Sequence, residues 1–234
     1  MNIPKHIGII MDGNRRFAKK LMLKPWRGHE WGANKVKEVL NWCKDLNIHE
    51  VTFYAFSIEN FNRPKEEFDY IMDLFAKEFT KLYTPENLAQ LAKDGMRINV
   101  IGRTWMFPQK VQDALAKITE ATKNNKKHIA NFAMAYGGRA EIIDATKKIA
   151  AAVKNGTLNI DQINEDVFKK QLYTESEPDL IIRTSGEQRT SGFMLWQGSY
   201  AELYFSDKNW PDFAKEDLLK AVETYENRER RFGK

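Results

Sequence analysis

Short apolar runs alternate along the chain with longer segments whose apolar residues recur every three or four positions. The short runs are rich in β-branched and aromatic residues and predict buried strands, whereas the longer segments predict amphipathic helices. The predicted strands cover residues 7–11, 50–57, 96–101, 128–135, 179–182 and 203–205. The predicted helices cover residues 31–46, 68–82, 85–95, 108–123, 139–154, 161–172 and 212–231.

This alternation determines the expected architecture. Strands separated by helices form βαβ units and therefore a mostly parallel sheet. We expect an α/β fold with a six-stranded sheet flanked by helices. The chain has 234 residues, 42% of them hydrophobic, which is enough to bury one substantial core. Because no repeat or interdomain linker interrupts the pattern, residues 1–234 are expected to form a single domain.

Charge and cysteine content narrow the range of partners and compartments. The 37 basic and 32 acidic residues give a net charge of +5, which suits an anionic small molecule, an acidic membrane surface or nucleic acid. The single Cys43 excludes an intrachain disulfide and favours a reducing compartment. We find no signal peptide and no apolar run of the roughly 18 residues that a membrane span needs. A soluble, cytoplasmic protein is therefore expected.

Polar residues follow the first predicted strand at once. Asp12, Gly13 and Asn14 end the strand, and Arg15 and Arg16 lead into a helix. Open α/β sheets bind ligands at the carboxyl ends of their strands, where a carboxylate can hold Mg²⁺ and guanidiniums can clamp diphosphate oxygens. A strand-turn-helix corner with a solvated basic helix start explains this stretch equally well.

Later stretches bring similar chemistry to the sheet. Residues 57–64 follow the second strand and supply a hydroxyl, an amide and a guanidinium, although an ordinary polar loop is the simpler interpretation. Residues 183–191 follow the fifth strand, and their two arginines flank a glycine-containing turn that could wrap a second diphosphate. Glu202 starts the sixth strand, where it could join Asp12 on a metal ion or be a solvated strand end.

Several familiar sites are missing from the sequence. It contains no G-x-x-x-x-G-K-[ST] loop and no strand-linked G-x-G-x-x-G, which argues against a P-loop or Rossmann nucleotide site. It also lacks H-E-x-x-H and the D-D-x-x-D pair of the all-helical trans-prenyltransferases. A nucleic-acid-binding domain needs a basic stripe with exposed stacking aromatics, whereas these arginines fall at strand ends among glycines. We therefore expect no nucleic-acid partner.

Six motifs together identify a family. In chain order they are H-I-G-I-I-M-D-G-N-R-R, G-H-E-W-G, Y-A-F-S-I-E-N-F-N-R-P, A-Y-G-G-R, R-T-S-G-E-Q-R and W-Q-G-S-Y-A-E-L-Y-F. With them the sequence resembles the cis-prenyltransferases, the undecaprenyl and dehydrodolichyl diphosphate synthases, over nearly its whole length. The resemblance implies a Mg²⁺-dependent transferase that condenses isopentenyl diphosphate with an allylic prenyl diphosphate. The product would be a Z-polyprenyl diphosphate, the precursor of a glycosyl carrier lipid, which grows inside a hydrophobic tunnel between sheet and helices.

The resemblance also assigns roles to single residues. Asp12 and Glu202 would hold Mg²⁺, and Asp12 and Asn60 are the candidate catalytic residues, with Asn60 orienting a diphosphate oxygen that takes up the proton. The residues implied for the allylic diphosphate are Gly13, Asn14, Arg15, Arg16, Phe17 and His29. Those implied for a loop that closes over both substrates are Ser57, Ile58, Glu59, Phe61 and Arg63. Those implied for isopentenyl diphosphate are Arg183, Arg189, Thr190, Ser191, Arg231 and Gly233.

The last residues of the chain bear on assembly. Arg231 and Gly233 belong to an R-x-G ending that, in the family, reaches across a homodimer into the partner's isopentenyl diphosphate site, so we expect a homodimer. The product would be delivered to a membrane, with which peripheral contact is conceivable. The Pro25 and Gly192 positions depart from the family pattern, which leaves open an irregular coupling of two allylic diphosphates. A non-catalytic subunit of a heteromeric synthase is the other alternative.

Overall fold

The computed structural model describes residues 3–228, and its strands form one parallel sheet. The strands are β1 (His6–Ile10), β2 (Glu50–Ser57), β3 (Met96–Ile101), β4 (His128–Tyr136), β5 (Leu180–Arg183) and β6 (Glu202–Phe205). They lie in the order β3-β4-β2-β1-β5-β6, and every neighbouring pair is parallel. The predicted six-stranded parallel sheet is therefore confirmed.

Helices connect the strands and cover the sheet. They are α1 (Asn14–Lys20), α2 (Gly28–Asp45), α3 (Lys65–Leu82), α4 (Pro85–Asp94), α5 (Gln109–Thr122), α6 (Gly138–Lys154), α7 (Glu165–Lys169) and α8 (Lys215–Glu226). Within residues 3–228, none of them combines the length and apolar character that crossing a bilayer requires.

The prediction of one helix over residues 161–172 is wrong. A 3-10 turn, Ile160–Gln162, comes first, and the short α7 follows it. The break arises at Asn164, whose side-chain oxygen accepts a hydrogen bond from the Val167 N–H at 2.9 Å and so caps a new helix.

The last helix is also shorter than expected. It begins at Lys215 instead of residue 212, because Trp210–Asp212 forms a separate 3-10 turn around a proline. The Asp217 carboxylate then accepts a hydrogen bond from the Ala214 N–H at 2.9 Å and fixes the new start.

The strand order places a ligand-binding crevice beside β1. β2, β4 and β3 lie on one side of it, and β5 and β6 lie on the other. Such a topological switch point leaves a crevice at the carboxyl ends of the strands. Ile10, which ends β1, pairs with Arg183, which ends β5. Asp12 and Arg183 therefore meet at the mouth of this crevice, on the edge of the sheet that the sequence predicted.

Candidate functional site

Two adjoining cavities lie at this edge of the sheet. The apolar cavity, about 370 Å³, is bordered by the sheet, α2 and α3. The basic cavity, about 350 Å³, is bordered by α1 and the start of α2. The residues that line both are Met11, Asp12, Asn14, His29 and Arg63. A ligand with an apolar tail and a polar head can therefore occupy both cavities at once.

The apolar cavity occupies the place predicted for the tunnel. Helices α2 and α3 face the sheet across it, and Ala55 contributes a small side chain from β2. A cavity of about 150 Å³ holds one benzene, so 370 Å³ holds roughly 15 carbon atoms. Among its apolar lining residues are Val36, Leu40, Ile71, Phe75, Phe79, Leu82, Leu91, Ile98 and Phe132.

The basic cavity carries a strong excess of positive charge. Four cationic side chains line it, against the single carboxylate of Asp12. A concave surface with this charge balance concentrates anions, and guanidiniums bind phosphate oxygens with two parallel hydrogen bonds. The four cations are Arg15, Arg16, Lys19 and Arg63. Their arrangement suits a diphosphate.

Asp12 is fixed at the junction of the cavities by contacts to its carboxylate and its main chain. Its Oδ2 accepts a hydrogen bond from Arg183 Nη2 at 2.8 Å, and its Oδ1 accepts one from the Gly13 N–H at 2.7 Å. Its carbonyl oxygen accepts hydrogen bonds from the Trp210 N–H at 2.9 Å and the Thr184 hydroxyl at 2.7 Å. The carboxylate remains 32% exposed, so it can still bind a ligand.

Glycines allow the backbone to close around Asp12. Gly13 has φ = 100°, and a Cβ atom there would lie 2.8 Å from the Cα atom of Asn209. A Cβ atom on Gly28 would lie only 1.9 Å from the carbonyl oxygen of Asn14. Both contacts are with backbone that cannot move aside, so these positions require glycine. This explains why D-G-N and G-H-E-W-G stand where α1 and α2 begin.

A buried carboxylate organises the cationic wall of the basic cavity. Glu67, in the first turn of α3, has a side chain that is only 1% exposed. Its Oε1 accepts a hydrogen bond from Arg63 Nη1 at 3.0 Å, and its Oε2 lies 3.6 Å from Arg15 Nη2. Arg63 Nη1 also lies 3.2 Å from His29 Nε2. Glu67 thus holds two predicted binding residues in one cluster.

His29 is neutral in this cluster. Burial and, to a smaller extent, the nearby charges of Arg63 and Arg15 together lower its pKa to about 3. The imidazole therefore accepts a hydrogen bond from Arg63 in the ligand-free protein, instead of adding a charge. A bound diphosphate would oppose these effects by supplying negative charge.

The neutral state of His29 predicts a pH dependence of stability. Below about pH 6.5 the histidine of the unfolded chain binds a proton, whereas His29 in the folded protein stays neutral down to about pH 3. The contribution of His29 to the free energy of unfolding is therefore fully present above pH 6.5 and is lost as the pH falls towards 3. We expect the free energy of unfolding to fall between pH 6.5 and 5 by up to about 1.4 kcal/mol per pH unit from this group. Urea unfolding at several pH values measures it. The slope in this interval should be shallower in His29→Gln, and an identical slope would contradict the assignment.

The stretch after β2 forms a compact turn at the cavity. Ile58–Asn62 is a 3-10 turn, and the Ser57 N–H donates to the side-chain oxygen of Asn60 at 3.1 Å. Ser57 and Asn60 line the apolar cavity. Phe61 instead packs edge-on against Phe56, with ring centroids 5.1 Å apart, and so anchors the turn to the core.

The stretch after β5 is built around Arg183. This side chain is buried, and its Nη1 donates to the carbonyl oxygen of Arg189 at 2.5 Å and to Ser191 Oγ at 2.7 Å. Its Nε is buried without a hydrogen-bond partner among residues 3–228. The side chain of Arg189 itself is exposed and pairs with Glu187. Only Arg183 and Ser191 of this stretch reach the apolar cavity.

The structure does not bring every predicted residue to the cavities. Phe17, for example, packs against Trp31 with ring centroids 5.8 Å apart. Arg231 and Gly233 lie outside the described residues. The predicted substrate-binding residues in residues 3–228 that line neither cavity are Phe17, Ile58, Glu59, Phe61, Arg189 and Thr190, and the predicted metal ligand Glu202 lines neither as well.

Within one chain the structure does not bring Glu202 to Asp12, although both are predicted metal ligands. Glu202 pairs with Leu180 at the start of β5, whereas Arg183, at the end of β5, pairs with Ile10. Three residues of strand separate the two ends by about 10 Å, and Asp12 lies further along still. Two ligands of one Mg²⁺ must each lie about 2.1 Å from the ion. Glu202 accepts a hydrogen bond from Arg228 instead.

Three residues around the site escaped the sequence analysis. Glu67 braces the arginines, Thr184 holds the Asp12 carbonyl, and Trp210 holds the same carbonyl while its indole N–H donates to the Gly32 carbonyl oxygen at 2.9 Å. Glu67 stands four residues after Arg63, which is the spacing of an ion pair on a helix, and this signal could have identified it. Thr184 lies in the R-T-S-G-E-Q-R motif, which did not assign it a role, and no local pattern marks Trp210.

The chain is similar to known proteins over nearly its whole length. Residues 10–233 match a family model described as "Putative undecaprenyl diphosphate synthase". A protein of Methanocaldococcus jannaschii is 50% identical over 100% of this chain and 84% of its own length. One of Methanopyrus kandleri is 49% identical over 99% and 85%. Both are named tritrans,polycis-undecaprenyl-diphosphate synthase (geranylgeranyl-diphosphate specific).

Solved structures also resemble this chain over nearly its whole length. A lavandulyl diphosphate synthase from Lavandula x intermedia, crystallised with dimethylallyl diphosphate, matches with a TM-score of 0.90 at 36% identity over 99% of each chain. A probable undecaprenyl diphosphate synthase from Campylobacter jejuni matches with a TM-score of 0.81 at 32% identity over 100% of each chain. The six motifs, the fold and the full-length matches lead to one conclusion: the chain belongs to the undecaprenyl diphosphate synthase family and is a cis-prenyltransferase.

Proposed function

We propose that this cis-prenyltransferase condenses isopentenyl diphosphate with an allylic prenyl diphosphate, and repeats the step to build a Z-polyprenyl diphosphate that serves as a glycosyl carrier lipid precursor. The observation that carries the proposal is the junction of an apolar and a basic cavity at Asp12. An allylic diphosphate is apolar at one end and anionic at the other. Its head would lie among the arginines of the basic cavity, and its tail would extend between α2, α3 and the sheet.

The starter is proposed from the relatives and from the size of the apolar cavity. Relatives that are 49% and 50% identical carry names specifying geranylgeranyl diphosphate, and we propose the same starter here. The cavity of about 370 Å³ has room for roughly 15 carbon atoms, so it would enclose most of a 20-carbon tail but not all of it. A longer product would need the cavity to widen or to open at its far end.

A magnesium ion fits the residues at the junction. Within the described part of the chain, no three His, Cys, Asp or Glu side chains are grouped as a metal site. Mg²⁺ is commonly held by one or two carboxylates together with phosphate oxygens, and Asp12 supplies one such carboxylate. We propose that Asp12 and the diphosphates of the substrates bind this ion jointly. Mg²⁺ bound there would stabilise the negative charge that develops on the leaving diphosphate.

The neighbouring side chains would divide the remaining tasks. Arg63 and Arg15, held by Glu67, would stabilise the departing diphosphate as its bond to the allylic carbon breaks. Arg183 and Ser191 would hold the diphosphate of isopentenyl diphosphate so that its double bond attacks the carbon left behind. A proton then leaves the new chain, and Asn60, an amide too weakly basic to accept it, would orient a diphosphate oxygen that does.

We also propose that the protein is a homodimer in which each protomer contributes residues to the other's site. Glu202 lies at the opposite edge of the sheet from Asp12 of its own chain, so it could join a diphosphate site only in a second copy. Its partner Arg228 precedes the predicted tail residues Arg231 and Gly233 closely in sequence. We propose that Glu202 and the predicted tail residues Arg231 and Gly233 of one protomer serve the site of the other.

The proposal is tested by turnover of purified protein with labelled isopentenyl diphosphate. Dimethylallyl, geranyl, farnesyl and geranylgeranyl diphosphates are offered separately, with Mg²⁺ or with a chelator. We expect the fastest incorporation with geranylgeranyl diphosphate and none with the chelator. Binding of pyrophosphate without incorporation from any starter would contradict the proposal and favour a non-catalytic subunit.

Replacing Ala55 with phenylalanine should shorten the products. Ala55 lines the apolar cavity, and a phenyl ring there would occupy space needed by the growing tail. We expect the main product to lose several isoprenyl units, as measured by mass spectrometry of the dephosphorylated alcohols. Ala116, an exposed alanine on α5, provides the matched control variant Ala116→Phe. Unchanged product length in Ala55→Phe would place the tail elsewhere.

A further inference from the structure

Three consecutive apolar side chains project into solvent between α1 and α2. Met22 is 94% exposed, Leu21 is 47% exposed and Leu23 is 39% exposed. We call these three residues the apolar tip. Single exposed apolar residues are normal on a protein surface, but a contiguous group at the apex of a loop usually marks a contact with another molecule.

The backbone of the tip makes Met22 unexpected at its position. The Met22 N–H donates to the carbonyl oxygen of Lys19, and the Leu23 N–H donates to that of Ala18, both at 3.0 Å. These are the two hydrogen bonds of a Schellman motif, which ends a helix with a residue in the left-handed conformation. Met22 is that residue, with φ = 55°. Glycine or asparagine fits this position better, and a fully exposed thioether gains nothing from packing there. A residue that is unfavourable for its backbone conformation and gains no packing within the fold indicates a contact with another molecule.

The charge around the tip indicates its partner. Residues 13–29 contain six lysines and arginines and no acidic residue. Lys20 and Lys24, which flank the tip, have side chains that are 68% and 65% exposed. Each contacts an acidic residue elsewhere, since Lys24 Nζ lies 2.8 Å from Glu66 and Lys20 Nζ lies 3.9 Å from Asp212. Exposed ion pairs of this kind are weak, so both lysines remain free to exchange partners.

An apolar apex flanked by lysines is suited to the surface of an anionic bilayer. Apolar side chains enter the boundary between headgroups and acyl chains, while the flanking lysines extend to the phosphates. We propose that the apolar tip, with Lys20 and Lys24, docks the protein on membranes that contain anionic lipids. The tip joins α1 to the turn that starts α2, and both helices border the cavities. Docking there would bring the mouth of the site near the lipid surface.

Vesicle cosedimentation of the full chain tests this inference without any turnover, so its result is independent of the proposed reaction. The vesicles consist of phosphatidylcholine alone or of phosphatidylcholine mixed equally with phosphatidylglycerol. We expect the wild type to bind the mixed vesicles, to bind phosphatidylcholine far more weakly, and to dissociate at high salt. Failure of the wild type to bind the mixed vesicles would overturn the proposal.

Matched variants locate the contact. Met22→Asn suits the left-handed backbone and should weaken binding to the mixed vesicles about tenfold, while the melting temperature is kept or raised. Ile160→Asn removes another exposed apolar side chain, 66% exposed in the turn before α7, and should bind like the wild type. The double variant Lys20→Gln, Lys24→Gln should also bind the mixed vesicles more weakly than the wild type. Its control is the double variant Lys65→Gln, Lys123→Gln, which removes two ion-paired surface lysines elsewhere and should bind more tightly than Lys20→Gln, Lys24→Gln.

Two outcomes would contradict the assignment of the membrane contact to the apolar tip. One is equal binding by Met22→Asn and the wild type. The other is a change in oligomeric state caused by Met22→Asn in lipid-free solution, measured by sedimentation velocity, because this would assign the tip to contact between two copies of the chain.

Discussion

Replacing Asp12 with asparagine is expected to reduce turnover by about 10³-fold, because the leaving diphosphate would lose the carboxylate that we propose holds its metal ion. Asparagine keeps the size of the side chain and can still accept a hydrogen bond from Arg183, so the fold should persist. Steady-state incorporation of isopentenyl diphosphate measures the loss. Binding of pyrophosphate should become nearly independent of Mg²⁺ in the variant.

A remote carboxylate provides the control. Asp45 is 61% exposed and pairs with Lys215 on the surface, so Asp45→Asn removes the same charge far from the cavities. Its turnover should match that of the wild type. Turnover of Asp12→Asn within a few fold of the wild type would show that Asp12 does not hold the metal ion.

Replacing Glu67 with glutamine is expected to destabilise the protein by about 3–5 kcal/mol. Glu67 is buried between Arg63 and Arg15, and the substitution leaves two guanidiniums facing each other without a counter-charge. A diphosphate bound in the basic cavity would supply that charge. Inorganic pyrophosphate should therefore raise the melting temperature of Glu67→Gln more than that of the wild type, which thermal unfolding with increasing pyrophosphate measures.

The adjacent Glu66 serves as the matched control for Glu67. It lies in the same helical turn, is 67% exposed and pairs with Lys24 at the surface. Glu66→Gln should lower stability by less than about 1 kcal/mol and should leave the response to pyrophosphate unchanged. Equal losses in the two variants would contradict the bracing role of Glu67.

The sheet was predictable from sequence because parallel strands are buried on both faces and stand out as apolar runs. The predicted strands 50–57 and 96–101 match Glu50–Ser57 and Met96–Ile101 at both ends, and the other four differ by one residue at one or both ends. Helix ends depend on single side chains instead. One asparagine capping α7 was enough to divide the predicted helix 161–172.

The site was predictable wherever a functional residue directly follows a strand. Asp12 and Arg183 end neighbouring parallel strands, and the topology alone brings them together. Glu202 does not join Asp12 within one chain because it starts a strand, and the starts of parallel strands lie at the opposite edge of the sheet. Trp210 could not be assigned because its hydrogen bond to the Asp12 carbonyl spans nearly the whole chain in sequence.

The proposed reaction depends on the junction of the two cavities at Asp12, and the products of the purified enzyme test it most directly. Geranylgeranyl diphosphate, excess isopentenyl diphosphate and Mg²⁺ are incubated with the protein, and the products are analysed by mass spectrometry and by NMR of the new double bonds. We expect a ladder of chains ending at one long length, with every added double bond in the Z configuration. A single short or branched product, or E double bonds, would contradict it.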